Sequence, residues 1–221
     1  MKDIRKEVVN EMGRTGMIPV FYHADVNTAT SVLKATYAGG VRVFEFTNRG
    51  EAAFDVFSAL LKEAAKLPGL YLGIGTIMND ADTELFIAAG AHFIVSPILK
   101  PSMSVVCSKH HTLWIPGCAT LTEIVHAKEA GAEVIKIFPG SILGPGFVSS
   151  VLPVVPGLKL MPTGGVEPTK ENLTAWFKAG VYCVGMGSQL LSKEKINQPE
   201  ELQRTITDTF GLLSEIRKSL K

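Results

Sequence analysis

Cysteine is scarce. Cys107, Cys118 and Cys183 are the only three in 221 residues. They are too few and too far apart for a disulfide framework or a metal cluster. As small core residues they suit a reducing cytoplasm. An excess of one charge is also missing. Lysine and arginine number 22 against 21 aspartates and glutamates, the net charge is +1, and the basic residues are scattered without a stripe. That balance points away from nucleic acid and membrane surfaces as partners. No apolar run is long enough to span a bilayer. The opening stretch MKDIRKEVVNEMGRTG lacks the apolar core of a signal peptide, so cytoplasm is the expected location. No low-complexity linker or shift in composition divides the chain, and one domain over 1–221 is expected. What is present is core-forming material: 46% hydrophobic and 19% charged residues, the composition of a globular chain.

One pattern recurs. A helix-like stretch ends in Ala-Gly and is followed by an apolar strand, at Ala38-Gly39, Ala89-Gly90, Ala130-Gly131 and Ala179-Gly180. Glycine just past a helix takes the left-handed conformation that ends it. The strands that follow read VRVFEF, HFIVSP, EVIKIF and YCVGMG. Between them lie four more apolar runs, IPVFYH, LYLGIGT, TLWIPG and LKLMPTGG. The count is therefore eight strands. Helices are expected over 28–38, 53–66, 81–89, 122–130 and 170–179, with Asn27, Asn79 and Thr120 as caps. The segments after HFIVSP, EVIKIFPG and YCVGMG are left unassigned. Strict alternation of strand and helix gives a parallel sheet with right-handed crossovers. Eight units in this length predict a (β/α)8 TIM barrel, whose site lies at the C-terminal strand ends. A doubly wound open sheet is the alternative. The repeat favours closure, because an open sheet needs unlike edge strands. Residues 4–12 read as an extra helix over the barrel bottom, and 200–221 as the last helix.

The run Glu133-Val134-Ile135-Lys136-Ile137-Phe138-Pro139 carries the first chemical signal. Lysine is rarely buried, because an ammonium ion is costly to remove from water. A desolvated lysine is a nucleophilic amine suited to forming a Schiff base with a ketone. The structural alternative is a strand-edge lysine whose head reaches solvent. In Val41-Arg42-Val43-Phe44-Glu45-Phe46, alternation puts Val43 and Glu45 on one face and the two phenylalanines on the other. If the phenylalanines meet the helices, Glu45 and Lys136 both point inward. Such a pair is either a structural ion pair or an amine with a proton shuttle. Arg49 could bind a carboxylate bidentately, or lie on the surface. Thr76 could donate to that carboxylate, or start a helix. Ser96-Pro97 and Pro116-Gly117 could simply shape turns. Two glycine-rich ends, Met161-Pro162-Thr163-Gly164-Gly165 and Gly185-Met186-Gly187-Ser188, would expose backbone N–H groups to an anion.

Together, GGVRVFEFTNRGE, LGIGTI, IVSP, IPG-x-x-T, VIKIFP, PTGGV and GMGS resemble the 2-keto-3-deoxy-6-phosphogluconate (KDPG) and 4-hydroxy-2-oxoglutarate aldolases, in family order from about Gly39 to Ser188. The resemblance implies a metal-free, cofactor-free class I aldolase on a (β/α)8 barrel, usually a homotrimer, acting on a small 2-keto acid. It implies Lys136 as the Schiff-base lysine and Glu45 as a general acid/base working through a water. It also implies Arg49 and Thr76 on the substrate carboxylate, Pro97 and Phe138 against the pyruvate methyl side, and Gly164, Gly165, Gly187 and Ser188 around a phosphate. The sequence departs from the family at Phe138-Pro139-Gly140-Ser141, at Gly185-Met186-Gly187-Ser188, and at Phe21-Tyr22-His23-Ala24-Asp25, which lacks the basic residue some members place near the phosphate. These departures concern the distal end of the substrate. Two other readings stand beside the aldolase: a metal-free phosphosugar isomerase with Lys136 as an electrostatic group, and a non-catalytic ligand-binding barrel.

Overall fold

The computed structural model describes residues 3–220. Nine parallel strands are assigned: β1 (Met17–Phe21), β2 (Val43–Thr47), β3 (Tyr71–Gly75), β4 (Phe93–Val95), β5 (Leu113–Ile115), β6 (Gly117–Cys118), β7 (Ile135–Ile137), β8 (Leu160–Pro162) and β9 (Val184–Met186). Six pair in the order β5-β4-β3-β2-β1-β9, and three in the order β6-β7-β8. Thr163 bridges to Gly185 and so joins β8 to β9. Only Pro116, which has no N–H to give to a ladder, separates β5 from β6. The sheet is thus curled and parallel throughout, and the expected TLWIPG strand is split in two at its proline.

The helices are α1 (Ile4–Thr15), α2 (Val26–Ala38), α3 (Ala53–Ala64), α4 (Asp80–Ala89), α5 (Pro101–Lys109), α6 (Leu121–Glu129), α7 (Gly140–Val151), α8 (Lys170–Lys178) and α9 (Pro199–Ser219). Two of them fill segments that the sequence left unassigned, α5 after β4 and α7 after β7, and in the third such segment a short 3-10 turn (Lys195–Asn197) leads from β9 to α9. Gly144, at φ 69°, breaks α7 into two pieces before Pro145. Lys221, the end of the expected last helix, lies outside the described residues.

Local chemistry accounts for most helix ends. Asn79 caps α4 by accepting from the Asp82 N–H at 2.7 Å. Thr120 and Glu123 form a reciprocal capping box on α6. Asn27 does not cap α2. The helix begins one residue earlier, and Asp25 accepts from the Thr28 N–H instead, at 2.7 Å. Asp25 prevails because a carboxylate also favours the positive end of the helix dipole. At the first Ala-Gly joint, Gly39 stays right-handed and Gly40, at φ 113°, makes the left-handed turn.

Alternation along the strands produces two apolar clusters. Phe44, Phe46, Leu72, Ile74, Ile135 and Ile137 face the helices and join Val32, Leu33, Phe57, Leu60 and Phe86. The other face carries Ile18, Val43, Phe93, Leu113, Val134 and Met161. Val8, Val9 and Met12 of α1 cover it. These side chains are fully or almost fully buried, so the chain entry to every strand is sealed and dry.

Candidate active site

Glu45 follows Val43 on the inner face of β2 and has no exposed surface. Its carboxyl group lies over Gly75 of β3. A Cβ at Gly75 would overlap Glu45 Oε1, so only glycine leaves room there. Lys136 follows Val134 on the inner face of β7 and is 5% exposed. In register, Lys136 stands between Gly117 of β6 and Met161 of β8. Gly117 in turn packs against the Pro97 backbone too closely for a side chain. Gly75 thus leaves the space the Glu45 carboxylate occupies, and Gly117 lets the β4 end approach the strand beside Lys136.

The Lys136 ammonium lies 3.7 Å from Glu45 Oε1, an ion-pair distance beyond hydrogen-bond range. The Phe138 ring sits 5.3 Å from the same nitrogen. Neither Glu45 oxygen accepts a hydrogen bond. Burial therefore pushes the Glu45 carboxyl up from its ordinary value, against the opposing pull of the Lys136 and Arg49 charges. A carboxyl group whose affinity for a proton is raised is better suited to holding and returning one during a reaction.

A cavity of about 610 Å3 opens at the C-terminal strand ends; Glu45 and Lys136 do not line it, but Phe138, beside the Lys136 ammonium, does. Arg49, Phe138, Gly164, Gly165, Gly187 and Ser188 all line it. Thr76 and Pro97 do not, and lie instead just past the ends of β3 and β4, Thr76 next to the Gly75 that packs on Glu45 and Pro97 against Gly117. Thr76 does not start a helix, since α4 begins at Asp80. It is held at φ 62°, a left-handed conformation that a β-branched residue rarely adopts. Such strain costs about 1–3 kcal/mol and clusters at functional positions. Gly164 and Gly165 take φ values of 87° and 72°. The N–H groups of Gly165, Gly187 and Ser188 donate to no acceptor among the described residues, so they are free for an anion.

A second hollow of about 550 Å3 lies at the opposite end, beside Arg14, Gly40, Phe210 and Arg217. Its arginines are already engaged. Arg14 pairs with Glu11, and Arg217 donates to the carbonyls of Gly13 and Arg14. The larger cavity is the one with unspent polar groups.

Thr163, His23 and Lys193 are among the cavity residues that escaped the sequence reading. Thr163 is only 8% exposed and its Oγ1 has no partner. Alternation from Met161 would have turned it inward. His23 and Lys193 line the walls as well. Nothing local marks them, because a helix-to-strand count says nothing about which loop folds over a site. The assembled chemistry is a buried amine for a ketone, a buried acid for proton transfer, and a cationic, N–H-rich chamber for an anionic substrate.

Residues 8–207 match the family model described as KDPG and KHG aldolase. The chain is 33% identical over 161 residues to a 2-dehydro-3-deoxy-phosphogluconate aldolase of Treponema pallidum (strain Nichols), covering 72% of this chain and 75% of that relative. It is 35% identical over 151 residues to a 2-dehydro-3-deoxy-6-phosphogalactonate aldolase of Escherichia coli (strain K12), covering 68% and 70%. Among solved structures, KDPG aldolase from Legionella pneumophila, with pyruvate captured at low pH as a covalent carbinolamine intermediate, matches with a TM-score of 0.82. That match has 24% identity and covers 95% of this chain and 98% of that one, a likeness of fold. This chain belongs to the KDPG and KHG aldolase family of carbon–carbon lyases.

Proposed function

We propose that this chain reversibly cleaves 2-keto-3-deoxy-6-phosphogluconate to pyruvate and glyceraldehyde 3-phosphate through a Schiff base on Lys136. The observation that carries this reading is the buried Lys136–Glu45 pair, 3.7 Å apart, with Phe138 leading from the Lys136 ammonium to the cavity wall. The Lys136 amine adds to the C2 ketone, and loss of water gives the protonated imine. Glu45, through a water, takes the C4 hydroxyl proton as the C3–C4 bond breaks. The bonding electrons pass into the imine to give an enamine. Glu45 then returns the proton to C3, and hydrolysis frees pyruvate and the amine.

Arg49 and Thr76 hold the C1 carboxylate, with Pro97 and Phe138 against the pyruvate methyl side. Gly164, Gly165, Gly187 and Ser188 cradle the phosphate. The free N–H groups at three of these positions support that role. Thr163 Oγ1, buried without a partner, offers a hydrogen bond to a substrate hydroxyl. The identity to a galactonate-specific relative favours one second reading, cleavage of the C4 epimer. Unphosphorylated 4-hydroxy-2-oxoglutarate is a further substrate of the same chemistry.

The frame for this site is a closed (β/α)8 barrel in one domain over 1–221. In that reading β5 and β6 are one strand interrupted at Pro116, and the Thr163–Gly185 bridge completes the ring. A homotrimer in the cytoplasm is the proposed working form. Met78, Ile98 and Leu121, exposed by 51%, 43% and 39% beyond neighbouring strands, give such an assembly an apolar face to bury. No helix among the described residues is long and apolar enough to cross a membrane.

Borohydride reduction in the presence of pyruvate tests the reading. It should add one pyruvate-derived group per chain, mapped by peptide mass to Lys136. Lys136→Ala and Lys136→Arg should lose both the adduct and cleavage, since a guanidinium forms no such imine. Cleavage without trapping, or trapping at another lysine, would overturn the mechanism. Trapping without cleavage of any 2-keto-4-hydroxy acid would leave a ligand-binding barrel.

A further inference from the structure

The end of β1 carries no lysine or arginine, so the phosphate in the proposed reaction needs its counter-charge from elsewhere. The cavity lining holds two residues of fixed positive charge, Arg49 and Lys193, and no aspartate or glutamate. They arrive on opposite sides of β1, because the sheet order places β2 and β9 as its two neighbours. Arg49 follows β2 and its charge acts on Glu45, which puts it at the reactive end. Lys193 follows β9, on the side of β1 away from β2, and shares the cavity wall with Gly187 and Ser188, which puts it at the distal end.

The segment that carries Lys193 is fixed rather than free. Leu190 and Leu191 are buried, and their N–H groups both donate to the Gly187 carbonyl. The Lys195 N–H reaches Ser192 Oγ at 3.4 Å, and the Asn197 side-chain amide donates to the Lys193 carbonyl at 2.9 Å. This backbone ties Lys193 to the same turn that presents Gly187 and Ser188. Its ammonium makes no ion pair among the described residues. His23 lines the wall too, but its Nδ1 accepts from the Asp25 N–H at 3.1 Å. The same nitrogen lies 3.4 Å from the Asp25 carbonyl, so the backbone of that turn already engages one side of the ring.

We propose that Lys193 supplies the counter-charge to the substrate's distal phosphate and thereby sets the preference for phosphorylated over unphosphorylated 2-keto-3-deoxy acids. The inference rests on the aldolase reading above. An acid-free chamber with one unspent ammonium at its far wall concentrates a dianion more strongly than a neutral end group.

The test compares kcat and KM for 2-keto-3-deoxy-6-phosphogluconate and for the same acid without phosphate. Lys193→Ala should raise KM for the phosphorylated acid roughly tenfold, with kcat changed less than about twofold. The preference should fall by that factor, the lower range for a charge-assisted hydrogen bond. Lys193→Arg should restore most of it. Lys195→Ala removes the same charge from the same segment but outside the cavity lining, and should keep the wild-type ratio. An unchanged preference in Lys193→Ala, or an equal loss in Lys195→Ala, would overturn the assignment while leaving the aldolase intact. A wild type that cleaves both acids equally well would do the same. Absence of borohydride trapping in the wild type would instead sink the aldolase reading itself.

Discussion

The two ends of the same strands are built to opposite rules. At the N-terminal end, Val8, Val9 and Met12 of α1 close over Ile18, Val43, Phe93, Leu113 and Val134, and every one of these side chains is apolar and buried. Two positions further along β2 and β7, the same inward face carries Glu45 and Lys136. Among the described residues, four buried side-chain atoms have no hydrogen bond, and three of them belong to Glu45 and Thr163 at the C-terminal end. Thr76, the strained β-branched residue, lies there too. The contrast separates two tasks. One end supplies close-packed stability, and the other spends part of it on unsatisfied polar groups and strain that a substrate can use.

The largest effect expected from breaking this division is at Glu45. Glu45→Gln keeps the shape but cannot cycle a proton, so kcat should fall about 100- to 10,000-fold while pyruvate trapping is partly spared. A variant within a few-fold of wild type would remove Glu45 from the mechanism. The same substitution reads out stability. Burial raises the carboxyl above its ordinary value of 4.5, so the folded state binds that proton more tightly than the unfolded chain. Its contribution is fully present below the unfolded value and is lost as pH rises through the folded one. Thermal melts between about pH 4 and pH 8 should therefore show Glu45→Gln gaining on wild type as pH rises. A constant difference would mean that Lys136 compensates the buried charge completely.

The sealed end should respond in the opposite sense. Met12→Ala opens a void under α1 and should cost about 2–5 kcal/mol in urea unfolding, with kcat close to wild type. A large kcat defect at temperatures where the variant is folded would show that the two ends are coupled.

The smallest effect sharpens the comparison most. Thr76→Gly relaxes the left-handed strain and should gain about 1 kcal/mol of stability. It should also raise KM for the keto acid, because the hydroxyl is gone. A loss of stability would mean that the Thr76 side chain is a packing element and not a strained ligand group.

Sequence alone determined what short-range rules control. Strand periodicity is local, so the inward faces of Val43-Glu45 and Val134-Lys136 were legible before any coordinates, as were the Asn79 and Thr120 caps. The competition between Asp25 and Asn27, and between Gly39 and Gly40, turned on backbone angles one residue apart, which composition does not specify. Pairing across the curled sheet was decided only in three dimensions. In sequence nothing local singles out Gly73 or Gly75, and Gly117 reads only as part of a turn. The folded chain shows them as the space taken by Phe93, by Glu45 and by the Pro97 backbone. Thr163 and Lys193 likewise became site residues only when β8, β9 and the turn after them closed around one cavity. Alternation tells which way a side chain points, but register and loop closure bring distant segments within reach, and these depend on packing summed over the whole chain.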